Sequence, residues 1–505
     1  MSLQVDEKNE VHLDTEKGIS KEFQDILNID DPIFRRDVDE GVDRVYVLKT
    51  ELINLCMQRE IGMGRYQWEL FVLSGFGWAA DNIWLQGVAI ILPSIGNEFV
   101  AHKNSFPWIT FSLFAGLILG ATTWGVLADI IGRRLSWNIT LFLAGIFGIS
   151  AGASPNFVAL GALVACLGFG VGGNLPVDGA LFLEFIPQSH QWLLTLLSAF
   201  WSFGMIPTTH CEYLSCPKDT LYHSVHNFSG ALTFVMWIFR PVIFTMQESP
   251  KYLLAKGRDA DAIKVLEYIA RRNGVSISLT LEKLEAISSL TIKKTFSRVN
   301  LSHVKPLFST RRLAVNTSIT ILLWGIIVRS LYKSKRSYTD NGSLCKAFLP
   351  IYLSQHAAIT GGGINTTNYS IISVLGIPGS ILACIAVDWI RSGNGHLAIG
   401  GRKLAMAVST ALTGIFLFVF TTATNNNSVL GYNCMYGVVF PAPHRGTGDA
   451  LCSAFNRVTG LMAPIIALYA DLKSHAPLYV AASLFLVTSV LMLFLPIETA
   501  GKAAL

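Results

Sequence analysis

The sequence predicts an all-α, polytopic membrane protein with about twelve transmembrane helices in two six-helix bundles. Three observations carry that prediction. Of 505 residues, 51% are hydrophobic and only 14% are charged, and the mean hydropathy is +0.46, too apolar for a typical soluble chain. Apolar runs long enough to cross a bilayer core recur along the chain. The Lys and Arg residues fall in alternate connections between those runs, the pattern that cytoplasmic positive charge imposes on a topology. The net charge of +5 is modest for this length. No basic stripe, nucleotide-binding glycine loop or paired-cysteine zinc spacing occurs, so neither nucleic acid nor a bound cofactor is an expected partner. No metal cluster or nucleophile motif lies at membrane depth, which argues against an enzyme.

Residues 1–69 are polar and acid-rich, without the short apolar core of a cleaved signal, and 1–66 make up the N-terminal arm. That arm is expected to be cytoplasmic. Within it, Val47, Leu48, Leu52, Ile53, Leu55 and Cys56 have helical spacing, so Tyr46–Ile61 is expected to lie against the membrane surface. Apolar spans follow at about 70–92, 108–128, 135–153, 157–182, 191–209 and 229–246. They make an N-terminal bundle over 67–246. A charged central loop, 247–312, contains an amphipathic stretch at Ala260–Ala270. Further spans at about 313–328 with 347–356, then 369–389, 404–422, 428–440, 446–470 and 477–496, give a C-terminal bundle over 313–496 and a tail over 497–505. Arg133, Arg134, the basic residues of 251–312, Arg391, Arg402, Lys403 and Arg445 all fall on one side. That side is expected to be cytoplasmic, with both termini on it. The sequon at Asn227 would face the other side, very near a helix. Cys211 and Cys216 fall in one outside loop, where either a disulfide or two free thiols fits the spacing.

The two halves repeat one another. Gly125-Val-Leu-Ala-Asp-Ile-Ile-Gly-Arg-Arg134 follows the second span, and Asp388…Gly401-Arg402-Lys403 follows the matching span of the second half. Phe185-Ile-Pro-Gln-Ser-His-Gln191 likewise corresponds to Val439-Phe-Pro-Ala-Pro-His-Arg445. Two loop types recurring in register indicate parallel internal repeats. The first loop resembles that between helices 2 and 3 of the major facilitator superfamily. Gln247-Glu-Ser-Pro-Lys-Tyr-Leu253 resembles a sugar-porter motif. Gly168-Phe-Gly-Val-Gly-Gly-Asn-Leu-Pro-Val-Asp-Gly179 and Phe440-Pro-Ala-Pro-His-Arg-Gly-Thr-Gly-Asp449 resemble fungal transporters related to synaptic-vesicle glycoproteins. The resemblance runs from about Gly62 to the C-terminus. It implies the major facilitator fold, alternating access and a central site between the bundles, in a monomer embedded in lipid that moves a small-molecule solute. It also implies that Gly125, Asp129, Gly132, Arg133, Arg134, Glu184, Glu248, Asp388, Arg402 and Arg445 are gate or scaffold residues.

An ionisable group at hydrocarbon depth is a functional candidate by default. Asp81, inside Gly77-Trp-Ala-Ala-Asp-Asn-Ile-Trp84, is the leading proton-coupling candidate, with Asp178 as a second. The resemblance supports an acid in helix 1, but its usual arginine partner in helix 4 is missing here. Asn174 and Asp178 share one helix face beside glycines, which suits either a polar solute or helix-to-helix hydrogen bonding. Asn82, Trp78 and Trp84 flank Asp81, and Asn456 and Arg457 are the comparable pair of the second bundle. All five are candidates for solute contact. The tryptophans equally suit packing, and Arg457 suits either an anionic solute or an acidic partner.

The expected function is secondary active transport, a proton-coupled symport of a small polar solute of sugar or carboxylate type, with the proton gradient in place of any cofactor. Three features disagree with the fold: the cationic run Arg329–Cys345 inside helix 7, a short helix 10 and a short helix 5. They fit either an error in the coding sequence or a degenerate, transport-inactive membrane sensor. That sensor is the competing function.

Overall fold

The computed structural model describes residues 44–99, 105–204, 221–289, 401–420 and 476–494, with scattered residues at 206, within 314–322 and 374–382, and at 457. Among them there is helix and turn but no strand. Helix α1 (Arg44–Cys56) runs into a π-turn (Met57–Ile61) and then α2 (Arg65–Glu98). Next come α3 (Pro107–Ile131), α4 (Arg133–Gly152), and α5 (Phe157–Gly172) continued by α6 (Asn174–Phe185). The fifth span runs over Leu193–Gly204, opening with α7 (Leu193–Leu196), and α8 (Leu221–Ile243) closes the first bundle. The central segment folds into α9 (Pro250–Ala255), α10 (Asp259–Asn273) and α11 (Leu281–Ser289). The second bundle contributes α12 (Gly401–Phe420) and α13 (Ala476–Leu493).

Three stretches, Pro107–Ile131, Arg133–Gly152 and Phe157–Phe185, are long and apolar enough to cross a membrane. Helix α2 is longer but carries Ser74, Asp81, Asn82 and Gln86, all buried against protein. Its 34 residues span about 50 Å at 1.5 Å per residue, more than a bilayer core of about 30 Å. The excess lies at the N-terminal end, where Tyr66 N donates to Asn273 Oδ1 at 3.0 Å and Arg272 holds Glu69 at 2.6 Å.

Glycine sets the spacing of the first bundle. Gly116 and Gly120 of α3 meet the backbone of Ala165 and Phe169, while Gly168 and Gly172 of α5 meet the carbonyls of Leu113 and Leu117. Two facing small-xxx-small ridges bring these helices into backbone contact. A methyl at Gly120 would lie 2.2 Å from the Phe169 carbonyl oxygen, so no larger residue fits.

Helix α1 corrects one expectation. Its apolar face is turned into protein rather than laid on the membrane surface. Ile53, Cys56, Met57 and Ile61 are buried with Leu253, Leu266 and Leu284, and α1 packs on α9 and α11. Helix α10 covers the expected amphipathic stretch and buries Ile263, Val265, Leu266 and Ile269. The sequon's Asn227 falls inside α8, beside Gly152. In the second bundle α12 and α13 pack together, with Ser489 donating to the Ala407 carbonyl at 2.7 Å. The residues before 44, the helix 7 insert, helix 10, Cys211, Cys216 and the C-terminal tail lie outside the described residues.

Candidate functional site

Among the described residues, two ion pairs are almost wholly buried. The first joins the halves: Arg457 Nη2 lies 3.4 Å from Asp81 Oδ1, with the two side chains 8% and 2% exposed. Arg457 Nη1 donates to the Leu117 carbonyl at 3.2 Å and also to that of Gly172. The sequence explains why Gly172 has a carbonyl to offer. Its helical partner would be the N–H of residue 176, and Pro176 has none. The helix breaks at Gly173, between α5 and α6, and the second bundle's arginine takes the freed oxygen.

The second pair lies within the first bundle. Arg240 Nη2 contacts both oxygens of Asp178, at 3.0 and 3.2 Å, and neither side chain is exposed. The Arg240 guanidinium stacks 4.0 Å over Trp137, donates to the Trp137 carbonyl and reaches the Leu73 carbonyl at 3.5 Å. Gly77 makes room for it, since a Cβ there would fall 1.5 Å from Asp178 Oδ2. Helices α2 and α6 run in opposite directions through the bundle, the first and the fourth of successive hairpins. One turn forward from Gly77 is Asp81, and one turn back from Asp178 is Asn174. Asn174 is thus level with Asp81. It is fully buried, and neither its amide nitrogen nor its oxygen has a hydrogen-bond partner among the described residues. Buried groups of this kind ordinarily mark a water or ligand site.

Trp78, also buried, packs on Trp201 at 6.1 Å between ring centroids, and its indole nitrogen has no partner among the described residues. Asn82 donates to the Trp201 carbonyl at 2.6 Å. Trp84 packs against His226 and over Gly148.

At the charged end of the first bundle the two sequence motifs interlock. Gly132 adopts φ +105°, a region open to glycine, and starts α4 beside Glu248. That carboxylate accepts from the backbone N–H of Arg133 at 2.9 Å and of Arg134 at 3.4 Å, an anion capping a helix N-terminus. The Arg133 side chain meets Glu184 and lies 3.4 Å from Asp129. Gly125 sits one turn before Asp129 in α3. Tyr252 donates to the Ile130 carbonyl at 3.0 Å, and Ser249 caps α9. Beside them Lys251 is buried. Desolvation brings its ammonium down to about 8, although Glu51 opposes the shift.

Among the other sequence candidates, Arg402 lies in the first turn of α12, while Asn456, Asp388 and Arg445 lie outside the described residues. Arg240 is not among the candidates the sequence marks. An arginine inside an otherwise apolar span was the available signal, obscured because it lies seven residues before the charged motif at Gln247 and resembles a flanking cation.

Comparison with known proteins agrees with this architecture. The family model described as "Sugar (and other) transporter" matches residues 81–334. The "MFS siderochrome iron transporter 1" of Ceriporiopsis subvermispora is 42% identical over 92% of this chain and 93% of its own. The "Major facilitator-type transporter hxnZ" of Emericella nidulans is 32% identical over 94% and 92%. A partially occluded, inward-open structure of the xylose transporter XylE from E. coli superposes with a TM-score of 0.61 over 85% of this chain and 98% of that one, at 14% identity. The chain belongs to the sugar (and other) transporter family of the major facilitator superfamily, and it is an integral multi-pass membrane transporter rather than an enzyme.

Proposed function

We propose that this protein is a proton-coupled symporter of a small polar organic solute, working as a monomer by alternating access, with its charged end and both termini in the cytoplasm. The observation that carries the reading is the Asp81–Arg457 pair, the one ion pair among the described residues that joins the two halves. Alternating access moves one bundle against the other around a central site. A contact bridging the bundles is made in one arrangement and broken in the other, so whatever changes its energy biases the equilibrium. Proton binding to Asp81 cancels the attraction to Arg457 and releases the bridge. Asp178 is held differently: Arg240 moves with it in the same bundle, and no rocking separates them. The coupling proton therefore belongs to Asp81, and Asp178 keeps a fixed partner. Arg133, Glu184, Asp129 and Glu248 hold the cytoplasmic ends of α3, α4 and α6 together as one gate.

The relatives' names include a siderochrome iron transporter and a xylose transporter, so a ferric siderochrome and xylose are natural probes. Purified protein in proteoliposomes should take up a solute faster when the outside is acidic. In Asp81→Asn the acceleration should vanish while solute exchange persists. Uptake equally rapid with and without a proton gradient in the native protein would reject coupling.

A further inference from the structure

Resting on the cytoplasmic placement of the charged end, we infer that Ser278 is a phosphorylation site and that a phosphate there releases α1 from the central helices. Ser278 lies in the extended, helix-free stretch 275–280 between α10 and α11. It is exposed, while Ile277 and Leu279 on either side pack into the core that buries Ile53 and Met57. A hydroxyl on an exposed, extended segment is one a protein kinase can reach. Ser276 and Thr280 are exposed as well, but Ser278 is the one that fastens α1. Glu60, half-buried in the π-turn that follows α1, accepts from the Ser278 N–H at 2.6 Å and from its hydroxyl at 2.5 Å. One carboxylate thus joins two segments 218 positions apart.

Phosphorylation reverses that contact. A serine kinase moves the γ-phosphoryl group of ATP to Ser278 Oγ. The new O–P bond forms, the bond to the β-phosphate oxygen breaks, ADP leaves, and the hydroxyl proton passes to a base of the kinase. The group that donated to Glu60 becomes an acceptor with a charge of about −1.5 to −2. Like charge then faces the Glu60 carboxylate where two charge-assisted hydrogen bonds stood. Lys283, whose Nζ donates to the Ser278 carbonyl at 3.1 Å, offers the phosphate a partner on its own side of the contact. Docked α1 also places Glu51 where it favours the buried Lys251 ammonium, three residues after Glu248 of the gate.

The test uses full-length protein. Trypsin releases Ser278 in the peptide 273–283, and fragmentation separates it from Ser276 and Thr280. Protein expressed in yeast and incubated with yeast cytosol, Mg-ATP and phosphatase inhibitors should carry phosphate on Ser278. Phosphate confined to Ser276 or Thr280, or none on the peptide, overturns the site. Release is read by maleimide labelling of Cys56, buried beside Glu60 and followed on its own peptide by mass spectrometry. Phosphoserine encoded at position 278 should speed labelling about tenfold or more, the loss expected when hydrogen bonds to a charged group are broken. A phosphate that left α1 docked would instead add negative charge near the thiol and keep it protonated. An unchanged or slower rate therefore overturns the release. Ser278→Ala keeps the N–H donor and should stay near the native rate. In Glu60→Gln the encoded phosphoserine should make little difference, and acceleration that persists there overturns the role of Glu60. Ser276→Cys checks sidedness separately. Its labelling by a membrane-impermeant maleimide outside intact cells would contradict the cytoplasmic placement itself; with that label excluded, missing phosphate counts against Ser278 alone.

Discussion

At the scale of single residues, the interior of the first bundle depends on buried, paired charges. Asp178 and Arg240 are both fully buried, and removing one of two such partners costs about 3–5 kcal/mol because the other is left uncompensated. Asp178→Asn and Arg240→Gln are each expected to lower the thermal unfolding temperature sharply. The double variant should recover much of the loss. Additive losses in that cycle would mean the pair is not coupled. Gly77→Ala belongs to the same test, since its methyl group falls on the Asp178 carboxylate; it should resemble Asp178→Asn in stability. Gly132→Ala is expected to weaken the gate for two reasons, the left-handed backbone and the nearby Glu248 oxygen. Asp81 was legible from sequence because a lone acid in an apolar run stands out. Its partner was not, since Arg457 is 376 positions away and spacing carries no information over that distance.

At the scale of elements, the first helix and the central helices form a cap on the charged end of the first bundle. Lys49 pairs with Asp259, and Glu60 accepts from Ser278 N and Oγ at 2.6 and 2.5 Å. Periodicity identified α1 as amphipathic but could not say what covers its apolar face, because lipid and a protein groove ask for the same residues. Two measurements check the docking. Burial, reinforced by Glu60, pushes the Cys56 thiol up to about 12, so maleimide labelling at pH 8 should be very slow in native protein, the thiolate being the reactive form. Lys49→Glu should undock α1 and speed it. Fast labelling of the native protein would contradict the packing. The second concerns Lys251, whose folded value of about 8 lies below the ordinary 10.5. Between those values the unfolded chain binds more protons, so stability rises with pH across that window and is flat below it. The rise should be on the order of 3 kcal/mol and absent from Lys251→Met. Parallel melting curves for the two proteins over pH 8–10.5 would contradict the burial.

At the scale of the whole molecule, twofold repetition and charge asymmetry were enough to read a two-bundle membrane fold, because lipid forces every span to be helical and apolar. What the sequence could not supply was the arrangement across the repeats. The Pro176 break that frees the Gly172 carbonyl was visible only as a proline in a glycine-rich span, and its use by the second bundle depends on how the halves meet. In the proposed mechanism the Asp81–Arg457 bridge at that meeting couples proton binding to bundle movement. The most direct test needs no solute. Spin labels placed at the exposed positions Val158 and Tyr479, one in each half, report the distance between the bundles by double electron–electron resonance. The native protein should shift between two distance populations as the pH falls from neutral to acidic. Asp81→Asn should show the acidic population at every pH. An Asp81→Asn protein that still follows the native pH response would contradict the claim.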